Sequence, residues 1–358
     1  MTVFILGPEE DRHSAAVKWA LEVAGVRVVL WPGLGWTEQR QALWKTGDAM
    51  TLGEQAVQPG DVVWIRRPRP PLIHPATVEA DRQFAQNQYE SFGQSLLAQM
   101  ELLRIRSINP RRSGWFIENK TVQLSLASKC RLNVPESLVS NSPQAVRSFC
   151  QRAGFRVVCK VFTPHAWEGA QSVAVAEAFE LKDLHEVPDA VLTYAPCIYQ
   201  QMVEKQFDVR LMLFGAELYA YALRDKQGAL DWRQASARGD IVISAVDIPP
   251  EVHSAVLAFA QEAGIVFGCF DFAVDQGGEW WFLEVNQQGQ FLWLERLHPE
   301  SRLLQRFAAF LTLPEGSAQS TDERLTQFPS YGDAMKSIHW KEAPADSSPE
   351  AKFSSQES

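Results

Sequence analysis

Apolar residues recur along this chain at two spacings, and the switches between them outline its elements. Residues 2–6 form a short apolar run that predicts a strand. Residues 14–24 carry helical spacing that stops at Gly25, and residues 26–31 and 61–65 read as further strands. Residues 79–103 have the pattern of a long amphipathic helix. Strands alternating with helices predict a small open α/β layer for this first part. Asn109-Pro-Arg-Arg-Ser-Gly114 then reads as a domain joint.

Beyond the joint the pattern favours helix over residues 119–129 and extended chain over 134–140. Ser142 can cap a helix that has Pro143 at its first position and Gly154 at its end. Residues 155–161 and 198–203 read as strands. Residues 207–214 and 217–224 read as a hairpin turning at Gly215. A helix is expected over 250–263, and a last one from about residue 299 to 311. From about Pro314 the composition shifts to Ser, Pro, Glu and Lys, which predicts a disordered tail over 314–358 despite Phe328, Tyr331 and Trp340.

The most informative stretch lies between the last two helices. Residues 266–275 and 280–286 read as two strands joined by Gln-Gly-Gly-Glu. A two-residue loop at Gly277 and Gly278 sets Asp271 opposite Glu284, with Asn286 on the same face. Carboxylates opposite each other on a ladder repel. A hard divalent cation between them removes that repulsion, and Asp, Glu and Asn oxygens suit Mg²⁺, especially one that also holds phosphates. Three side chains therefore point to a metal nucleotide.

Composition narrows the alternatives. The 358 residues allow two or three domains, and 46% hydrophobic content with 12 Trp implies sizeable cores. A net charge of −9 provides no global attraction for nucleic acid. The five cysteines have no metal or redox spacing, and read as reduced thiols of a cytosolic protein. Seven scattered histidines without H-E-x-x-H argue against zinc hydrolysis. No apolar run has membrane-spanning length and no basic segment precedes the first strand, so a soluble cytoplasmic protein is expected. The turn after that strand, Gly7-Pro-Glu-Glu10, lacks the G-x-G-x-x-G spacing and places acids where a pyrophosphate would sit.

One further set of motifs runs in order along the second half of the chain. These are Glu118-Asn-Lys120, Val157-Val-Cys-Lys160, Tyr199-Gln-Gln-Met-Val203, Phe207-Asp-Val-Arg210, Asp231-Trp-Arg233, Phe270-Asp-Phe272 and Phe282-Leu-Glu-Val-Asn-Gln-Gln-Gly-Gln290. Together they resemble the ATP-grasp superfamily of carboxylate–amine ligases over residues 119–311. The ending, with Asp-Trp-Arg, is most similar to the microviridin-type peptide cyclases, or graspetide synthetases, which are related to ribosomal-protein glutamate ligases.

The resemblance implies an α/β ATP-grasp fold with an N-terminal pre-ATP-grasp domain (1–113), a central lobe with a lid loop (114–200) and a C-terminal lobe with the metal site (201–313). ATP and Mg²⁺ are the implied cofactors. Lys120 and Lys160 would meet ATP phosphates, and backbone groups of Gln201 and Val203 would meet adenine. Asp208 would accept a ribose hydroxyl, while Arg210 and Arg233 would act on the phosphates or an acyl phosphate. Asp271, Glu284 and Asn286 carry over as the magnesium ligands. Lys120 also stands where a cation opposes the helix dipole, an unfavourable place unless an anion is near, and this conflict favours a phosphate role over a plain surface lysine. One departure from the family is Thr163-Pro-His-Ala-Trp-Glu-Gly169, where a small glycine-rich lid is usual.

The activity implied is activation of a carboxylate as an acyl phosphate and its capture by an amine or hydroxyl, in a ribosomally made precursor peptide. Two alternatives stay open: an intermolecular ligase adding an amino acid to a peptide or protein end, and a nucleotide-binding scaffold that presents a peptide to a partner enzyme. Arg147–Arg156 could receive a leader segment or be a solvated helix face. Related enzymes pair as dimers, so the resemblance also allows a homodimer.

Overall fold

The computed structural model describes residues 1–338 except 48–49, 163–165, 169–172, 176–177, 182–183, 185–186, 226–239 and 315–318; for 166–168 and 173–175 it describes the backbone alone. The first part is the expected open α/β layer. Strands β1 (Thr2–Leu6), β2 (Arg27–Trp31), β3 (Val62–Ile65) and β4 (Arg106–Ile108) form a parallel sheet in the order β2-β1-β3-β4. Helix α1 (Arg12–Val23) starts at Asp11, whose carboxylate accepts the Ser14 amide at 2.9 Å. Helix α2 (Glu79–Leu102) follows, with Leu96 and Met100 buried. Helix α3 (Arg111–Ile117) begins within the stretch read as a domain joint, and α4 (Lys120–Lys129) follows as expected.

The central part is an antiparallel sheet with helices packed on one face. Strands β5 (Ser137–Ser140), β6 (Val157–Lys160), β7 (Phe179–Leu181) and β8 (Cys197–Gln201) run in the order β7-β6-β8-β5. Helix α5 (Pro143–Arg152) has the expected Ser142 cap, the proline in its first turn and Gly154 at φ +61°. It buries Val146, Phe149 and Cys150 against Val157, Cys159 and Tyr199, one face of the sheet. Between β6 and β7, Ala166–Glu168 pairs with Val173–Val175 as a short hairpin, so the lid stretch contains antiparallel structure. His165 lies outside the described residues, as do Asp231 and Arg233.

The C-terminal part holds a five-stranded antiparallel sheet. Its strands are β9 (Lys205–Phe214), β10 (Glu217–Asp225), β11 (Ile241–Ala245), β12 (Phe267–Asp275) and β13 (Trp280–Asn286), in the order β11-β10-β9-β12-β13. Helix α6 (Pro250–Ala263) packs Val256 and Phe259 against Leu211, Phe270 and Phe282. Helices α7 (Leu292–Leu297) and α8 (Leu303–Thr312) pack on the other side. There Phe214, Phe267, Phe291 and Phe307 join Val3, Ile5 and Val17 in one core, so the first layer and this sheet share a hydrophobic interior. Each fully buried aromatic ring there contributes about 1.5–3 kcal/mol of transfer free energy.

The expectation of a disordered tail from residue 314 is corrected for residues 319–338. A 3₁₀ turn (Thr321–Gln327) and helix α9 (Tyr331–Ser337) are folded. Phe328, Tyr331 and Ala334 are buried in the shared core. Polar anchors complete the docking. Glu217 accepts from the Thr321 amide at 3.0 Å, and Glu295 accepts from the Leu304 and Tyr331 amides at 2.6 and 2.8 Å. Composition missed this because three small or aromatic contacts and two distant carboxylates hold the segment, not an apolar run.

Candidate active site

The hairpin of β12 and β13 brings its two carboxylates together. Asp271 on β12 is the register partner of Glu284 on β13, and Asn286 lies two residues further on opposite Cys269. The turn is wider than a two-residue loop. Val274 pairs with Trp280, and a bulge beside Phe272 then takes up one extra residue, restoring the Asp271–Glu284 pair. Asp275 organises the wide turn: its carboxylate accepts the amides of Gly277 and Glu279 at 2.8 and 3.0 Å and the indole N–H of Trp281 at 2.9 Å.

A third strand extends the row. Arg210 on β9 is the register partner of Asp271. One guanidinium nitrogen donates to both Asp271 oxygens at 2.8 Å, and the other donates to the Gln290 carbonyl at 3.1 Å. At the far end Lys120, the first residue of α4, pairs with Glu284. The row Arg210, Asp271, Glu284, Lys120 thus places two adjacent carboxylates between two cations, across three strands and a helix start. Gln123, one turn after Lys120, fixes the helix there. Its side-chain oxygen accepts from the Val285 amide at 3.0 Å, and its NH₂ donates to the carbonyls of Val285 and Ile117 at 2.9 and 2.7 Å. A side-chain amide takes the place of a neighbouring strand on the outer edge of β13.

Asp208, which is buried, accepts from Lys205 at 2.7 Å. Gln201 and Val203 line a pocket of about 300 Å³ together with Pro135, Glu204, Gln276 and Trp281. That pocket touches the central sheet, the segment after β8 and the β12–β13 turn. Lys160, at the end of β6, donates to the Gln200 side chain at 2.6 Å.

The loop after the ligands is held from below by the first layer, which the sequence reading left out of the site. Arg66, fully buried after β3, donates to the Gln288 carbonyl and lies 3.1 Å from Asp11. His13 Nε2 accepts from the Phe291 and Leu292 amides at 2.9 and 3.1 Å, capping α7 from nearly 280 residues away. Burial, reinforced by Arg66, Arg67 and Arg210 against the opposing pull of Asp11, holds this imidazole well below its ordinary pKa and keeps it neutral. Burial pushes the Asp11 carboxyl up, but Arg66 and the Ser14 amide outweigh it, and Asp11 sits well below the usual carboxylate range. Gly289 needs its missing side chain: a Cβ would stand 2.7 Å from Cys269 Sγ and 2.9 Å from Arg210 Nη2. Gly289 and Gln290 therefore close over Arg210.

The donor set fits magnesium: two opposed carboxylates and an amide carbonyl, which here accepts from the Gln288 amide at 2.9 Å, supply hard oxygen donors on one sheet face. Among the described residues no group of three or more His, Cys, Asp and Glu is placed to hold a metal ion.

No family model and no curated protein matches the sequence. Solved structures do match, and they define the class: the chain has the ATP-grasp ligase fold. It is similar to a RiPP-associated ATP-grasp ligase of Chryseobacterium gregarium, in complex with ADP and a leader and core peptide, at 20% identity over 88% of this chain and 98% of that one, with a TM-score of 0.72. It is likewise similar to the macrocyclase MdnC of Microcystis aeruginosa, bound with the precursor peptide MdnA, at 21% identity over 87% and 99%, TM-score 0.68. The macrocyclase MdnB of that organism matches at 24% identity over 87% and 99%, TM-score 0.65. Among the described residues no helix is long and apolar enough to cross a membrane.

Proposed function

We propose that this protein is an ATP-dependent ligase that activates a carboxylate of a ribosomally made precursor peptide and joins it to an amine or hydroxyl of the same peptide. The observation that carries this reading is the row of Arg210, Asp271, Glu284 and Lys120, set within a fold whose solved examples include enzymes bound to ADP and precursor peptide.

Bound Mg²⁺ would neutralise phosphoryl oxygens, held by Asp271, Glu284 and Asn286. The chain's own residues supply the remaining positioning. Lys120 can turn from Glu284 toward a phosphate, because this pair is only half-buried. Lys160 reaches the same anion from the central sheet as a point charge. Gln201 and Val203 offer main-chain groups to adenine at the hinge pocket, and Asp208 accepts a ribose hydroxyl. Arg210 is buried and holds Asp271 and the Gln290 carbonyl in place, so its effect on the reacting phosphate is electrostatic, through a water-poor interior. Arg233 keeps the role implied by its motif.

The test is co-expression with short acidic peptides containing Thr, Ser or Lys, followed by mass spectrometry and an ADP-release assay. The expected outcome is loss of one water mass per link with matching ADP formation. A gain of one residue mass would show intermolecular ligation instead. Nucleotide binding without peptide-dependent turnover would show a scaffold.

A further inference from the structure

Lys160 is oriented by an amide that is itself fixed from the far side. Gln200 is 3% exposed and lies on β8 beside the strand of Lys160. Its Oε1 accepts from Lys160 Nζ at 2.6 Å, and its Nε2 donates to Ser137 Oγ at 3.0 Å. Ser137 sits directly opposite Gln200 on β5, and its hydroxyl donates to the Pro135 carbonyl at 2.8 Å. A hydroxyl has one proton. Ser137 gives it to Pro135, so toward Gln200 it can only accept. Gln200 must therefore turn its NH₂ to Ser137 and its carbonyl to Lys160. The reversed amide would set its NH₂ against the ammonium, donor against donor. Pro135 also lines the hinge pocket, so the relay runs from the pocket wall to the lysine.

We propose that Gln200 is a positioning residue for nucleotide binding: its relay-fixed carbonyl aims the Lys160 ammonium at the phosphates, and as a neutral group it does so without adding a negative charge. This rests on Lys160 being a phosphate-binding lysine. An ammonium has three donors in a flexible arrangement. The bond to Gln200 fixes the direction of one of them. A carboxylate in the same place would keep the bond but set a negative charge against the incoming phosphates.

The experiment measures Mg²⁺–ADP binding by calorimetry with the full-length chain, alongside KM and kcat for ATP. Gln200→Met and Gln200→Glu are expected to weaken binding about 10-fold, which corresponds to 1.4 kcal/mol. KM should rise by a similar factor while kcat changes little. Ser137→Ala should weaken binding by a smaller factor, whereas Ser137→Thr, which keeps the hydroxyl, should bind like the wild type. Thermal unfolding checks that each variant is folded; if neither Gln200 variant folds, the Ser137 pair still decides. Wild-type affinity in Gln200→Met and Gln200→Glu, with affinity lost in Lys160→Met, would overturn the role of Gln200 alone. Wild-type affinity in Lys160→Met would overturn the phosphate reading of the lysine, and the inference with it.

Discussion

Two ion pairs stand in one row across the C-terminal sheet, and their surroundings differ. Arg210 and Asp271 have side chains 4% and 8% exposed, while those of Lys120 and Glu284 are 29% and 30% exposed. The inner pair is closed over by Gly289 and Gln290, and one of its members also holds a main-chain carbonyl. The outer pair joins a helix start to an edge strand. Burial makes separation of the inner charges costly, whereas partly hydrated charges exchange partners at little cost. On the proposed function the inner pair is a fixed base for a metal position, and the outer pair is the part that can release a lysine to phosphate and a carboxylate to metal.

Variants sharpen that contrast. The largest stability effect is expected for Asp271→Asn, which leaves a buried guanidinium without its counter-charge. A loss of about 3–5 kcal/mol should appear as a lower urea midpoint. The apolar double variant Arg210→Met/Asp271→Leu should recover much of it, and a loss as large as the single variant's would contradict the burial argument. Glu284→Gln should behave in the opposite way: peptide-dependent ADP formation falls about 100-fold or more, while unfolding changes by less than about 1 kcal/mol. Gly289→Ala forces Cys269 or Arg210 to move, at about 1–3 kcal/mol. Reduced turnover with normal nucleotide affinity would place that strain at the acceptor side of the row.

The smallest effect is a pH dependence from His13. Its folded pKa lies below the ordinary 6.5, so the unfolded chain takes up the proton first. The stability contributed by the neutral imidazole is complete above about pH 6.5 and is lost as pH falls below that, by up to about 1.4 kcal/mol per pH unit. Asp11, Arg66, Arg67 and Arg210 surround it, and of these only Asp11 titrates in acid, further down the scale. Stability curves from pH 7.5 to 5 should be flatter in His13→Gln than in the wild type. Parallel curves would remove His13 as the source.

What the sequence disclosed and what it concealed follow from range. The Asp271–Glu284 pairing was legible because a hairpin is local, although the turn itself was misjudged. Asp275 holds a wider connection than two glycines suggest, and the bulge near Phe272 cancels the one-residue shift. Lys120 was legible as a cation in an unfavourable place at a helix start, and Glu284 resolves that conflict. The Ser142 cap and the turn at Gly215 were legible for the same local reason. By contrast His13, Arg66 and the folded segment 319–338 act over hundreds of residues, where neither spacing nor periodicity carries a signal. Gln200 lay inside a quoted motif, yet its partner Ser137 belongs to another strand, so only the sheet order reveals the relay.

The central claim is that Asp271, Glu284 and Asn286 hold the magnesium of a bound nucleotide. Calorimetric titration of ADP into the wild type and Glu284→Gln, each with and without Mg²⁺, tests it most directly. The account predicts Mg²⁺-dependent binding in the wild type that is lost in a variant unfolding at nearly the same temperature. Equal Mg²⁺-dependent affinity in both proteins would contradict it.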